Sequence, residues 1–295
     1  MKNEVNDFIL EMKGVKNLSN KTCLAYSYDI NKFIEFVGNK YKHIKEQDFL
    51  DYISYLNLTL KLKDCSIKRK IVSIKQFYAF LYSKRIIKNN TIKLTVVKFK
   101  QKHRIPKILY IDEVKKLLDV MYLEANTSTS NYKKFESIRN IAILELLVCT
   151  GIRISEASTL CIKDISISEK TIVIHGKGNK ERLVYFDART KIHLQNYLDG
   201  RTDGNPALFV SLKAPFDRLM IGGVETRLRE LGKRLNIPKV HPHKFRRTLA
   251  TTAIDKGMPI EQVQQLLGHQ KIDTTMHYAM VKQQNVKLAH RKYIG

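Results

Sequence analysis

The tract from Asn89 to Pro106, NNTIKLTVVKFKQKHRIP, constrains the fold most, because it breaks the apolar rhythm of a 295-residue chain into two parts. Its polar, basic and β-branched residues support neither helix period nor buried strand, so it reads as a linker over 89–106. A chain of this length also exceeds what one compact core usually holds. Before the tract the apolar positions keep helical spacing. Phe8, Ile9 and Met12 start a short helix. Leu24, Ile30, Phe33, Ile34 and Val37 form a second that stops at Gly38. Phe49, Ile53 and Leu56 mark a third, and Ile67, Ile71, Ile74, Phe77, Tyr78 and Leu81 a long fourth. The expected first domain is therefore a helical bundle over 1–88.

Beyond Pro106 the pattern is mixed. Val114, Leu117 and Leu118 mark a helix expected to be capped by Asp112, and Ile138 to Cys149 gives a more buried one. Residues 171–186, TIVIHGKGNKERLVYF, alternate around Gly-Lys-Gly-Asn as a β-hairpin does. Further helices are expected near 188–198, 222–235, 242–256, 259–267 and 274–280. Pro242 and Pro259 stand at first-turn positions, Gly257 and Gly268 where helices stop. The fold class is mainly α with a small antiparallel β element (α+β), with a second domain over 107–282 and a tail over 283–295.

Charge narrows the partner. The 53 Lys+Arg against 28 Asp+Glu leave +25, and a cut near residue 105 leaves +13 before it and +12 after it. A single basic tail does not give two basic halves; a polyanion touched by both domains does, and DNA is the usual one. A lysine-rich solvated surface is the bland alternative. The four cysteines, Cys23, Cys65, Cys149 and Cys161, show no metal-ligand spacing and read as reduced cytosolic thiols. The N-terminal residues lack a signal-peptide pattern, and the most apolar stretch, 141–149, is too short to span a bilayer. A soluble, cytoplasmic protein with no membrane partner is expected.

Five segments of the second domain carry candidate chemistry. T-G-I-R-I-S-E (150–156) puts Arg153 at a loop corner after Gly151, where a planar guanidinium suits a phosphate. Glu156 either orients that guanidinium or begins the next helix. Lys177 stands between Gly176 and Gly178 at the hairpin tip; the phosphate-loop frame is absent, so nucleotide binding is rejected. H-P-H-K-F-R-R (241–247) puts His243 and Arg246 on one helix face. L-L-G-H (266–269) puts His269 just past a helix end, and D-T-T-M-H-Y (273–278) ends in Tyr278. Each of these residues alone reads more simply as structural or solvated. Zinc held by His241, His243, His269 and His277 lacks a completing Cys or acidic residue, so no metal site is expected.

Taken in order, Arg, Lys, His-x-x-Arg, His and Tyr resemble the catalytic set of the tyrosine recombinase/phage integrase family, including Xer-type and mobile-element integrases. The resemblance is dense from about Arg104 to Tyr278 and loose over the N-terminal domain, which it makes a core-binding, SAM-like DNA-binding bundle. It implies a catalytic set of Arg153, Lys177, His243, Arg246, His269 and Tyr278, with Glu156 in support. It further implies a site-specific recombinase working through a 3′-phosphotyrosyl link, without metal, ATP or other cofactor. The partner it implies is double-stranded DNA with inverted-repeat core sites, bound by a homotetramer, with a second recombinase or an accessory DNA-bending protein left open. The tail over 283–295 is expected either to dock on a neighbouring protomer through Val281, Val286 and Leu288 or to fray. Integration and excision, inversion and dimer resolution stay open. So do a type IB topoisomerase-like relaxase, a non-catalytic DNA-binding regulator on the same fold and a metal-dependent phosphodiesterase.

Overall fold

A computed structural model describes residues 2–99, 108–176, 181–276, 278 and 290. The chain divides into two compact units, Met1–Lys102 and His103–Gly295. No described helix is long and apolar enough to cross a membrane.

The first unit is built from α1 (Lys2–Gly14), α2 (Asn20–Val37), α3 (Glu46–Ser54) and α4 (Asp64–Ser83), with a π-turn over Tyr55–Thr59 extending α3. Ser19 caps α2 by accepting the Thr22 N–H at 3.2 Å. The helical spacing of the aromatic residues brings them to one core, where Phe33 lies edge-on to Tyr52 with centroids 4.9 Å apart and Phe8 edge-on to Phe77 at 5.5 Å. Leu24 departs from the expected stripe: it is 71% exposed, and its neighbour Cys23 is buried in its place. At 3.6 residues per turn the stripe drifts, and position 23 faces the core seven residues before Ile30. Asp29 is fully buried in the seam between α2 and α4. It accepts from Lys70 Nζ at 2.8 Å, from Arg69 and from the Ser73 hydroxyl, so its charge is matched where water cannot reach it.

The second unit contains α5 (Ile111–Thr127), α6 (Asn131–Thr150), α7 (Ile154–Thr159), β1 (Ile165–Ser166), β2 (Thr171–His175), β3 (Glu181–Tyr185), α8 (Ala188–Asp199), α9 (Ile221–Arg234), α10 (Pro242–Asp255), α11 (Ile260–Leu267) and α12 (Ile272–Met276). The strands form one antiparallel sheet in the order β1-β2-β3, with Val173 opposite Leu183. The hairpin expectation holds, and the sequence reading missed only the two-residue β1 that borders it.

Helix α6 starts seven residues earlier than its apolar run suggested. Its residues serve two cores: Ala142, Ile143, Leu146 and Leu147 face the sheet and α8, and Ile141 and Leu144 face α5 and α9. From Ile141 to Leu147 every residue of the helix is buried, so this stretch has no solvent face. Glu145 within it is buried, receiving the Tyr122 hydroxyl at 2.7 Å and Arg189 Nε at 2.7 Å.

Three expected boundaries change. Asp112 does not cap α5: Tyr110 is the cap residue, its N–H donating at 2.8 Å to the Glu113 carboxylate, which reaches back to the exposed N–H as a first-turn acid does. Pro259 precedes α11 as its cap instead of opening its first turn, whereas Pro242 opens α10 as expected. The last helix begins at Ile272, two residues before the expected 274, and is described to Met276; residues 277, 279 and 280 of the expected span lie outside the described residues.

Candidate active site

The site grows from two left-handed glycines. Gly151 ends α6 at φ 61°, and Gly268 ends α11 at φ 62°. At both positions an added Cβ meets side chains at short range: 2.7 Å from Leu249 Cδ2 at Gly151, and 2.9 Å from Arg182 Cδ and Nε at Gly268. Glycine alone gives both the backbone angle and the space.

Just past Gly151, Arg153 caps α7. Glu156, one turn on, accepts the Arg153 N–H at 2.8 Å and its guanidinium at 2.7 Å, so both roles left open for Glu156 are filled at once. The same carboxylate receives Arg182 of β3 through two bonds of 3.1 and 2.8 Å. Burial opposes its charge, but the hydrogen bonds from Arg182 and the Arg153 N–H prevail and bring its pKa down to about 2. Arg153 also points a guanidinium nitrogen at the Gly268 carbonyl, 3.5 Å away.

Arg246 on α10 is almost wholly buried. Its guanidinium donates to the carbonyl of Gly151 at 2.6 Å and to that of Leu267, so it ties the C-terminal ends of α6 and α11 together. Burial, then the positive charge of Arg153, lowers its pKa to about 10. His269 follows Gly268 and is buried. Its Nδ1 lies 2.8 Å from the Thr275 hydroxyl, and its backbone is held by Gln264 through bonds of 3.1 and 2.9 Å. Burial, then the charges of Arg246, Arg153 and Arg182, lowers its pKa to about 4, so the ring is neutral at physiological pH.

Tyr278 is half-buried and packs on Ala250, Val263 and Leu267. Its N–H donates at 2.9 Å to the Thr275 carbonyl, and its ring centroid stands 6.0 Å from that of His269. His243 keeps solvent access on the first turn of α10. Desolvation, then the charges of Arg246, Arg247 and Arg153, holds its pKa below the ordinary histidine value. His241 lies 6.3 Å from it, ring to ring.

Of the seven residues singled out from sequence, the fold thus places Arg153, Glu156, Arg246, His269 and Tyr278 in one neighbourhood, with His243 within reach of its charges. Lys177 and His277 lie outside the described residues. Arg182 and Thr275 belong to the same neighbourhood and escaped the sequence reading. For Arg182 a signal existed: on a strand of period two it shares the inward face with buried Val184, and an inward arginine needs a carboxylate. For Thr275 none did, since a threonine three residues before a tyrosine is ordinary.

Chemically, three guanidiniums against one carboxylate leave a strongly positive pocket beside a phenol, with two neutral imidazoles at hand. The charge of such a set suits a phosphodiester; among the described residues no group of three His, Cys, Asp or Glu could hold a metal ion.

Comparison with known proteins identifies the family and the fold. Residues 107–285 match the model of the phage integrase family, and residues 5–85 that of the phage integrase N-terminal SAM-like domain. The chain is 32% identical to the tyrosine recombinase XerC of Listeria welshimeri over 97% of its own length and 95% of that protein. It is 34% identical to the XerC of Anoxybacillus flavithermus over the same shares. Among solved structures it superposes on the XerH site-specific recombinase bound to its difH substrate with a TM-score of 0.75, at 21% identity, covering 99% of this chain and 84% of that one. It superposes on a lambda integrase dimer bound to a core site with a TM-score of 0.70, at 16% identity, covering 94% and 76%.

Proposed function

This chain belongs to the phage integrase family of tyrosine recombinases, and from that premise we propose that Tyr278 cuts DNA by attacking a backbone phosphorus, with the surrounding residues in the roles below. The protein is a site-specific recombinase; what remains to assign is which side chain does what. The observation that carries the assignment is the half-buried Tyr278 ring 6.0 Å from His269, beside the Arg153–Arg182–Arg246 cluster.

A phosphodiester repels nucleophiles, and its charge crowds further in the transition state. Arg153 and Arg246, with His269, stabilise the non-bridging oxygens; losing one such donor typically costs about 10²–10³ in rate. The phenol must lose its proton as it attacks, and His243, held neutral by its surroundings, is the base that takes it. Lys177 protonates the departing 5′ oxygen. The phosphorus is then joined to Tyr278 through a 3′-phosphotyrosyl bond, and a 5′-hydroxyl of a second strand attacks it, restores the backbone and releases the tyrosine. Every bond broken is replaced by one formed, so neither ATP nor a metal enters the scheme.

DNA is the partner that both basic units and the DNA-bound solved relatives point to. The reading extends to inverted-repeat core sites, four protomers exchanging strands in pairs and a cytoplasmic location. The helical domain over 1–88 and the linker over 89–106 grip the duplex, and the catalytic domain over 107–282 cuts it. The tail over 283–295, outside the described residues apart from His290, docks on a neighbouring protomer.

The test is covalent capture. Nicked suicide duplexes drawn from the DNA flanking the protein's own gene, incubated with EDTA, are expected to yield a protease-sensitive shifted band on denaturing gels. The band is expected to vanish in Tyr278→Phe. A band that survives in that variant places the nucleophile elsewhere.

A further inference from the structure

Thr275 does two jobs at the centre of the site. Its carbonyl accepts the Tyr278 N–H at 2.9 Å, closing the turn that carries the tyrosine. Its hydroxyl, on a fully buried side chain, lies 2.8 Å from Nδ1 of His269. The backbone of His269 is already pinned to Gln264 on both its N–H and its carbonyl, so the ring's setting is decided by what its Nδ1 meets.

A neutral imidazole carries its proton on one nitrogen only, and the partner of one nitrogen fixes the state of the other. A buried hydroxyl must give its own proton to an acceptor. Against Nδ1 it does so by donating, which makes Nδ1 the acceptor and leaves the ring proton on Nε2, across the ring from Thr275.

We propose that Thr275 is a positioning residue for strand cleavage: its hydroxyl locks His269 in the Nε2–H tautomer, so that the imidazole reaches a phosphate oxygen as a donor. The inference rests on the reading of His269 as a phosphate ligand. The threonine thereby sets two distances with one residue, the donor's through its side chain and the nucleophile's through its backbone. Valine keeps the shape and the backbone bond and removes only the first.

The experiment compares full-length wild type, Thr275→Val, Thr275→Ser, His269→Ala and Thr275→Val/His269→Ala in single-turnover cleavage of a nicked suicide duplex, with duplex affinity measured alongside. Thr275→Val is expected to cleave about tenfold to a hundredfold more slowly, the loss of one buried hydrogen bond, at unchanged affinity. Serine is expected to recover most of the rate, and valine to add nothing once His269 is gone. Wild-type speed in Thr275→Val overturns the proposal, as does a further loss in the double variant, which marks a role in packing alone. Wild-type speed in His269→Ala overturns the underlying reading of His269 itself. A measurement free of variants' folding uses 15N-histidine-labelled wild type: the His269 imidazole is expected to show a protonated Nε2 and a bare Nδ1. The reverse tautomer overturns the proposal.

Discussion

Glu156 serves two arginines with one carboxylate, and His269 is kept neutral by burial and then by the arginines around it; both therefore tie stability to pH. His269 titrates at about 4 in the folded protein against an ordinary 6.5, so below pH 6.5 the unfolded chain takes up a proton that the folded one refuses. Glu156 titrates at about 2 against an ordinary 4.5, so its contribution is full above 4.5 and is lost as pH falls toward 2. The catalytic unit is expected to lose stability in two overlapping stages, from 6.5 down to 4 and from 4.5 downward. Urea midpoints measured from pH 7.5 to 3.5 check this, and His269→Gln is expected to reduce the upper stage, to which the lowered His193, His241 and His243 also contribute, and to leave the lower stage unchanged. A midpoint constant down to pH 4.5 contradicts the assignment to His269. At this scale sequence reading reached the residues whose chemistry announces itself, and missed Arg182 and Thr275, whose importance lies in a partner brought close by folding. The separations are 26 residues from Arg182 to Glu156 and 6 from Thr275 to His269, and in neither pair do the partners share a helix or strand, so no single period links them.

Among the elements, α11 and β3 meet at Gly268, where the backbone needs a left-handed angle and Arg182 lies across the space a side chain needs. Gly268→Ala is expected to cost about 1–2 kcal/mol in chemical denaturation and to slow cleavage by pushing Arg182 off Glu156. Gly257→Ala is the contrast: its φ is 90°, but an added Cβ meets nothing within 4 Å, so stability is expected to fall while the cleavage rate holds. Equal cleavage losses in both variants refute the link through Arg182. Element by element, the periodic segments were legible: in the long fourth helix Ile67, Ile71, Ile74, Phe77, Tyr78 and Leu81 are all buried as expected, with Phe80 beside them. The boundaries were less so. The start of α6 was hidden because its first turns carry polar residues such as Asn131, Lys133 and Lys134, and the cap of α5 because Glu113 does from inside the helix what Asp112 was expected to do from its edge.

For the whole molecule, the charge of +25 shared between both halves is a statement about salt. If the two units together neutralise six to ten phosphates, affinity for a core duplex is expected to fall by about 10³–10⁵ between 50 and 200 mM salt. Fluorescence anisotropy across that range measures it. A fall of only a few fold means that most of the charge never meets the backbone.

Arg246 carries a consequence for how damaged copies of such a gene are to be understood. Because its guanidinium spans the ends of two helices, the fold depends on it whatever its part in cleavage. In a lineage that gives up cutting but still needs a folded DNA-bound protein, Tyr278 is free to drift and Arg246 is not. The survival of the arginine in a sequence therefore testifies to a folded protein and not, by itself, to a working enzyme.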